Sequence, residues 1–186
     1  LGMGKLGGRE ITFGSDLDII FLSNKPDDQK AVEKIIKALT AYTDKGILYN
    51  IDMRLRPDGT KGVLLNDVQG YGNYYAHSAR PWELQSLLKV RQVAGDGDIA
   101  RQFMDVARDA VIKRGKELKR SDVRDMRERI IKELSREPKG IDIKLGPGGI
   151  EEIEFYIQWL QLQHAGEHPE ILVQDTATAI RRLMKK

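Results

Sequence analysis

The sequence predicts an α+β protein: a small mixed sheet carrying one helix over residues 1–65, then an all-helical lobe over 66–186. Two short segments, Asp18–Leu22 and Tyr49–Arg56, carry strand patterns. Beyond about residue 66 the apolar spacing changes from period 2 to period 3.6. The strands precede the helices without regular alternation, which argues against a Rossmann or TIM arrangement.

The elements follow in order. Leu1 to Gly8 is glycine-rich and reads as a loop, so a fragment is expected whose preceding strand or domain is missing or clipped. Asp18-Ile-Ile-Phe-Leu22 is an apolar run bounded by turn residues, as in a buried strand. Val32, Ile35, Ile36, Leu39 and Tyr42 have helical spacing, with Gly46 as the expected stop. In the next strand Tyr49, Ile51, Met53 and Leu55 share one face, and Asn50, Asp52, Arg54 and Arg56 the other. Pro57-Asp58-Gly59 reads as a turn and Val63-Leu64-Leu65 as a third strand.

Five or six helices are expected after that. Asn66 or Asp67 caps one running through Tyr75, Pro81 opens one to about Arg91, and Asp96 or Asp98 caps one with Phe103 and Ala110 inward. Ser121 and Asp122 start another, with Val123, Met126, Ile130 and Leu134 as its apolar stripe. Gly146-Pro-Gly-Gly149 opens a helix to His164, expected to be central because it is apolar on two sides, and a last helix covers Thr176 to Lys186.

Composition narrows the function. The chain has 186 residues, 31 Lys and Arg against 28 Asp and Glu, and no Cys. Disulfides, thiolate zinc sites and Cys nucleophiles are thereby excluded. No apolar run approaches the roughly 18 residues of a membrane span, and no signal peptide is seen, so a cytoplasmic protein without a membrane partner is expected. Charge is nearly balanced in both halves, which disfavours nucleic acid as a partner. One local exception is Lys113 to Lys139, with 11 basic and 6 acidic residues. It reads as a solvated helix face or, more sharply, as a landing strip for phosphate or an acidic partner.

The chemistry concentrates at Ser15-Asp16-Leu17-Asp18. Two carboxylates two residues apart on a strand point to the same side and repel, a cost that a divalent cation relieves. Oxygen-only ligands suit Mg²⁺ or Mn²⁺. Gly7, Gly8 and Ser15 are small enough to bring backbone N–H groups close to phosphate oxygens. Asp52 adds a third carboxylate, and Arg54 and Arg56 add guanidinium groups on the same strand face. Together these are the parts that nucleotidyl transfer needs.

The stretch Gly4-Lys-Leu-Gly-Gly-Arg-Glu10 followed by Gly14-Ser-Asp-Leu-Asp18 resembles the nucleotidyltransferase superfamily signature of DNA polymerase beta-like enzymes. Gly2 to Glu10, Asp52-Met-Arg-Leu-Arg-Pro57, Trp82-Glu83 and Ile143 to Phe155 resemble the glutamine synthetase adenylyltransferases more closely, over residues 2–155. The resemblance implies an enzyme moving AMP from ATP to a tyrosine hydroxyl of glutamine synthetase, in control of nitrogen assimilation. It implies regulation by a PII signalling protein and by glutamine. It assigns Asp16 and Asp18 to Mg²⁺, Asp52 as the third carboxylate and a candidate base, and Gly7, Gly8 and Ser15 to phosphates. That family carries an adenylylating half and a half that removes AMP by phosphorolysis. Asp16-Leu-Asp18, Trp82 to Gln85 and Val123 to Glu128 lean to the adenylylating half, whereas Met3 and Lys144 to Gly149 lean to the removing one. Nucleotide addition to RNA and a non-catalytic nucleotide-binding module are the alternatives. The first lacks a basic aromatic face, and the second has no need of three carboxylates.

Three further features read more plainly. His77, His164 and His168 are expected at the surface; Trp82-Glu83 reads as packing plus a surface acid, with a domain-joint role as the alternative; and Gly146–Gly149 reads as a turn with capping, with a contact of the following carboxylates to a ribose or a second metal as the alternative.

Overall fold

The computed structural model describes residues 1–47, 49–134 and 142–186. The first strand, β1 (Leu17–Asp18), pairs in parallel with β5 (Ile51–Asp52), and β2 (Phe21–Leu22) pairs in parallel with β6 (Leu65–Asn66). Because β1 and β2 lie on one continuous stretch, β5 and β6 bond along the same edge of it, through the amides of Leu17, Ile19 and Ser23. The opposite edge bonds to the first residues: Met3 N–H donates to the Asp18 carbonyl at 2.8 Å. Gly2 in turn exchanges both backbone hydrogen bonds with Arg91, at 2.8 and 2.9 Å, antiparallel. The outcome is a small mixed sheet, with the opening residues as a working edge rather than a loose loop.

Several elements differ from expectation. Gly4–Gly8 forms a short helix, α1, ended by Arg9 in the left-handed region (φ 60°). Arg91 holds it from outside by donating to the Leu6 and Gly7 carbonyls. The helix α2 (Gln29–Leu39) stops well before Gly46. Tyr42–Thr43 (β3) instead forms a hairpin with Gly46–Ile47 (β4), and Tyr42 is exposed. Of the predicted strand Tyr49–Arg56, only β5 pairs, because Arg56 N–H turns back onto the Met53 carbonyl.

The helical part runs through α3 (Val68–His77), α4 (Pro81–Leu87), α5 (Gly97–Arg114), α6 (Arg120–Leu134), α7 (Ile150–His164) and α8 (Thr176–Leu183). Aspartates cap three of them. Asp67 accepts from Gly70 N–H, Asp96 from Asp98 and Ile99 N–H, and Asp175 from Thr178 N–H. Helix α4 ends early because Arg91, just beyond it, is drawn into the sheet by Gly2. Helix α6 begins at Arg120, one residue before the expected start, with Asp122 accepting from Lys119 N–H.

A single hydrophobic cluster joins both parts: Met3 and Ile20 pack with Tyr71, Tyr75, Leu84 and Phe103. Tyr71 meets Phe103 edge to face, with ring centroids 5.2 Å apart. Helix α7 is central, touching α4, α6 and α8, but not through the face its apolar residues suggest. Ile150 and Ile153 are exposed, whereas Gln158, Gln161 and Leu162 are buried. The two glutamines are satisfied: Gln85 Nε2 donates to Gln158 Oε1 at 2.7 Å, and Gln161 Nε2 donates to the Ile171 carbonyl at 2.7 Å. The Trp82-Glu83 reading is reversed. Trp82 is partly exposed, and Glu83 is buried, accepting from Arg80 N–H and from the Tyr74 hydroxyl at 2.6 Å. The Leu134 side chain and residues 135–141, including the end of the basic stretch, lie outside the described residues.

Candidate active site

Parallel pairing in register sets the site. Leu17 opposes Ile51, so Asp18 opposes Asp52, and both leave their strands beside each other. Asp16 stands exposed just before β1. With Asn50, Asp52, Arg54, Arg56 and Thr60 it lines an open depression of about 510 Å³. The three carboxylates feel one another. Burial, then the charge of Asp52, then that of Asp16, push the Asp18 carboxyl up to about 6.

The half-buried Asp18 carboxylate sits against α1. Gly4 has φ +46°, and a Cβ there would lie 2.3 Å from Asp18 Oδ2. Glycine at position 4 is therefore required twice, by conformation and by the carboxylate. Asp52 has a different setting. Burial pushes its carboxyl up, but four hydrogen bonds from Arg54 outweigh that and hold it below the usual carboxylate range. The Arg54 Nε–H and Nη2–H donate to Asp52 Oδ2 at 2.8 and 2.5 Å, and the Arg54 backbone N–H donates to Oδ1 at 2.8 Å.

Other predicted site residues are placed differently. Gly7 and Gly8 are buried, and the Gly7 amide is spent on the Met3 carbonyl at 2.8 Å. A Cβ at Gly7 would come within 1.7 Å of the Lys89 carbonyl oxygen. Close packing of α1, not approach to phosphate, is what demands glycine there. The Ser15 hydroxyl is engaged within its own loop, accepting from Thr12 N–H at 3.1 Å. The Arg56 guanidinium donates to the carbonyls of Met53, Thr60 and Gly62, so it braces the loop after β5. Arg54 is the arginine left at the open edge, with 73% of its side chain exposed.

By donor chemistry, three oxygen-bearing carboxylates with mutual repulsion fit a hard divalent ion. Arg54 is the cation that answers Asp52 in this arrangement. Among the described residues no group of three His, Cys, Asp or Glu is drawn together closely enough to hold an ion. The three histidines form no such group either.

One cluster escaped sequence reasoning. Lys89, 4% exposed, bridges Glu10 beyond α1 and Glu154 on α7, the latter at 2.5 Å, and also donates to the Thr176 hydroxyl at 3.1 Å. Glu10 accepts from the Thr176 amide at 2.8 Å. Burial raises the Glu10 carboxyl, but the bonds to Lys89 and Thr176 win and hold it low. The residues are separated by up to 166 positions, so only the third dimension brings them together.

Known proteins resemble this chain over most of its length. Residues 1–106, which hold all three aspartates, match the family described as glutamate-ammonia ligase adenylyltransferase. Residues 124–186 match the family described as GlnD PII-uridylyltransferase. A protein of Xanthomonas campestris pv. campestris (strain B100) named bifunctional glutamine synthetase adenylyltransferase/adenylyl-removing enzyme is 38% identical over 97% of this chain and 21% of its own length. Proteins of the same name from Thioalkalivibrio sulfidiphilus and Psychromonas ingrahamii are 39% and 40% identical, over 98% and 89% of this chain. The chain spans about a fifth of the length of these relatives. With more than half its residues matched, the acid-bearing strands among them, the chain belongs to the glutamate-ammonia ligase adenylyltransferase family.

Proposed function

We propose that this chain is a catalytic nucleotidyltransferase unit that moves AMP from ATP to a tyrosine hydroxyl of glutamine synthetase. The observation that carries the reading is the pairing of Asp18 with Asp52 in register, beside Asp16. The relatives' name specifies adenylyl transfer on glutamine synthetase. The second family match names uridylyl transfer to a protein, which favours protein over RNA as acceptor.

In this reading Asp16, Asp18 and Asp52 would draw closer together than they stand here to hold Mg²⁺ or Mn²⁺, and the ion would supply charge neutralisation for the triphosphate. Arg54, at the open edge, balances negative charge on the leaving pyrophosphate. Arg56 keeps the neighbouring loop in place through its three carbonyl contacts. Asp52 is the candidate acceptor for the tyrosine proton. The full-length protein would act in the cytoplasm, with a PII signalling protein as its regulator.

Mass spectrometry of glutamine synthetase subunits tests this. The chain is incubated with the synthetase, ATP and Mg²⁺, with a chelated control. A gain of one AMP per subunit, absent with chelator, supports adenylylation. Loss of AMP from modified subunits only when phosphate is present would assign the chain to the removing reaction. Nucleotide binding with neither change would leave a regulatory module.

A further inference from the structure

The basic stretch singled out in the sequence leaves a feature that AMP transfer does not use. Helices α6 and α7 enclose a cleft of about 520 Å³, within the range of small-molecule sites. On α6, Arg120, Arg124 and Arg127 fall at helical spacing along one face and all line it. On α7, Glu152, Phe155 and Tyr156 line the other wall. None of these residues borders the depression that holds Asp16 and Asp52. Helix α7 thus has two working faces: Glu154 turns to Lys89, and Phe155 and Tyr156 turn to the cleft.

Arg127 is the unusual group. It is 7% exposed, and its Nη2 serves the carbonyls of Leu145 and Gly146. Its Nε and Nη1 are buried with no hydrogen-bond partner among the described residues. A guanidinium fixed on one side, with two buried donors unmet, calls for an acceptor, and a small movement of its side chain would turn those donors to the cleft that it lines. Arg124 beside it is exposed and, among the described residues, makes long contacts with acids of its own helix, at 3.3 and 3.9 Å. Tyr156 is 47% exposed and stacked on Trp159, with centroids 5.8 Å apart, which leaves its ring open to a flat partner. Glu152 is the one acid in the wall; its Oε2 accepts from Gly148 N–H at 2.9 Å, which draws it toward that loop.

We propose that this cleft is a second ligand site, for a nucleoside phosphate. Arg127 and Arg124 take the phosphate, Tyr156 stacks on the base, and Glu152 lies where a ribose hydroxyl needs an acceptor. The combination of guanidinium groups and an open aromatic face separates a nucleotide from a bare phosphate. The assignment is independent of whether the chain adds or removes AMP.

The test is ADP titration in EDTA, read by the fluorescence of Trp159 in a Trp82→Phe background, with inorganic phosphate and adenosine as separate arms. Saturable ADP binding is expected, at least tenfold tighter than phosphate and unchanged in Asp18→Asn. Arg127→Gln should weaken it tenfold or more. Arg124→Gln and Tyr156→Ala, both at exposed positions, should each weaken it severalfold, and Tyr156→Ala should leave phosphate binding alone. These two keep the test decisive if Arg127→Gln does not fold. No saturable response, a response lost in Asp18→Asn, or phosphate binding as tightly as ADP would each overturn the assignment.

Discussion

At Glu10 and Glu154 a buried lysine stands between two carboxylates; at Asp18 and Asp52 two carboxylates stand side by side, with no cation between them among the described residues. In the first cluster Glu10 is held below the usual carboxylate range. In the second, Asp18 is driven up to about 6. The chain neutralises one group of acids with its own ammonium and leaves the other in surplus, relieved in part by Arg54 at its edge and by the charges of Lys5 and Arg56 nearby. Where the charge is balanced internally the cluster fastens elements together. Where it is not, the cluster keeps a surplus of negative charge at the surface.

Removing the internal cation should have the largest effect. Lys89→Met would leave Glu10 and Glu154 facing each other with no cation between them, a destabilisation of about 3–5 kcal/mol, read from the urea midpoint. A loss below about 1 kcal/mol would mean the lysine is not a fastening.

The opposite change belongs to the other cluster. Asp18→Asn should lower AMP transfer by roughly two orders of magnitude, about 3 kcal/mol of barrier. In metal-free buffer the same variant should be as stable as the parent or more so, because like-charge crowding is relieved. A variant that transfers AMP normally, or that melts early, would erase the contrast between the clusters.

Gly7→Ala probes the surface on which both rest. Its Cβ would meet the Lys89 carbonyl at 1.7 Å, so a destabilisation of about 1–3 kcal/mol is expected without a change in pH dependence. Full stability would show that α1 can shift away.

The smallest effect is on pH. Asp18 titrates near 6 in the fold against an ordinary 3.8, so the folded state binds the extra proton. Its contribution to stability is complete below about pH 4 and is lost as pH rises through 6. Asp52 and Glu10, held low, run the other way: their contributions are present above the ordinary carboxylate range and fall as pH drops. Thermal melts of metal-free protein should therefore show a decline between pH 4 and 6 that Asp18→Asn removes. An unchanged decline in the variant would place its origin elsewhere.

Much of this was legible in the sequence, for identifiable reasons. The acid pair could be read because two aspartates two apart, next to a strand, carry their geometry with them. The helices announced themselves through Asp67, Asp96 and their apolar spacing. The helix α1 did not, since three glycines in five residues oppose helix formation locally and only packing on the Lys89 backbone and the Arg91 side chain sustains it. Glu10, Lys89 and Glu154 each pass for a surface charge when read alone. No periodicity links them, so their meeting is a property of the folded chain. The buried glutamines of α7 hid for the same reason: a polar residue that finds its partner 73 positions away leaves no local trace.

The joint between Glu10 and Thr176 also bears on how the protein is made. A ribosome adding roughly 5–20 residues per second needs on the order of 10–30 s to pass from one to the other. Through that interval the sheet can gain Arg91 for its edge, but Glu10 still lacks the amide it will finally accept from. The nascent sheet therefore waits for a partner made long after it. Changes near Thr176 that slow this late closure should appear in cells as a lower yield of folded protein.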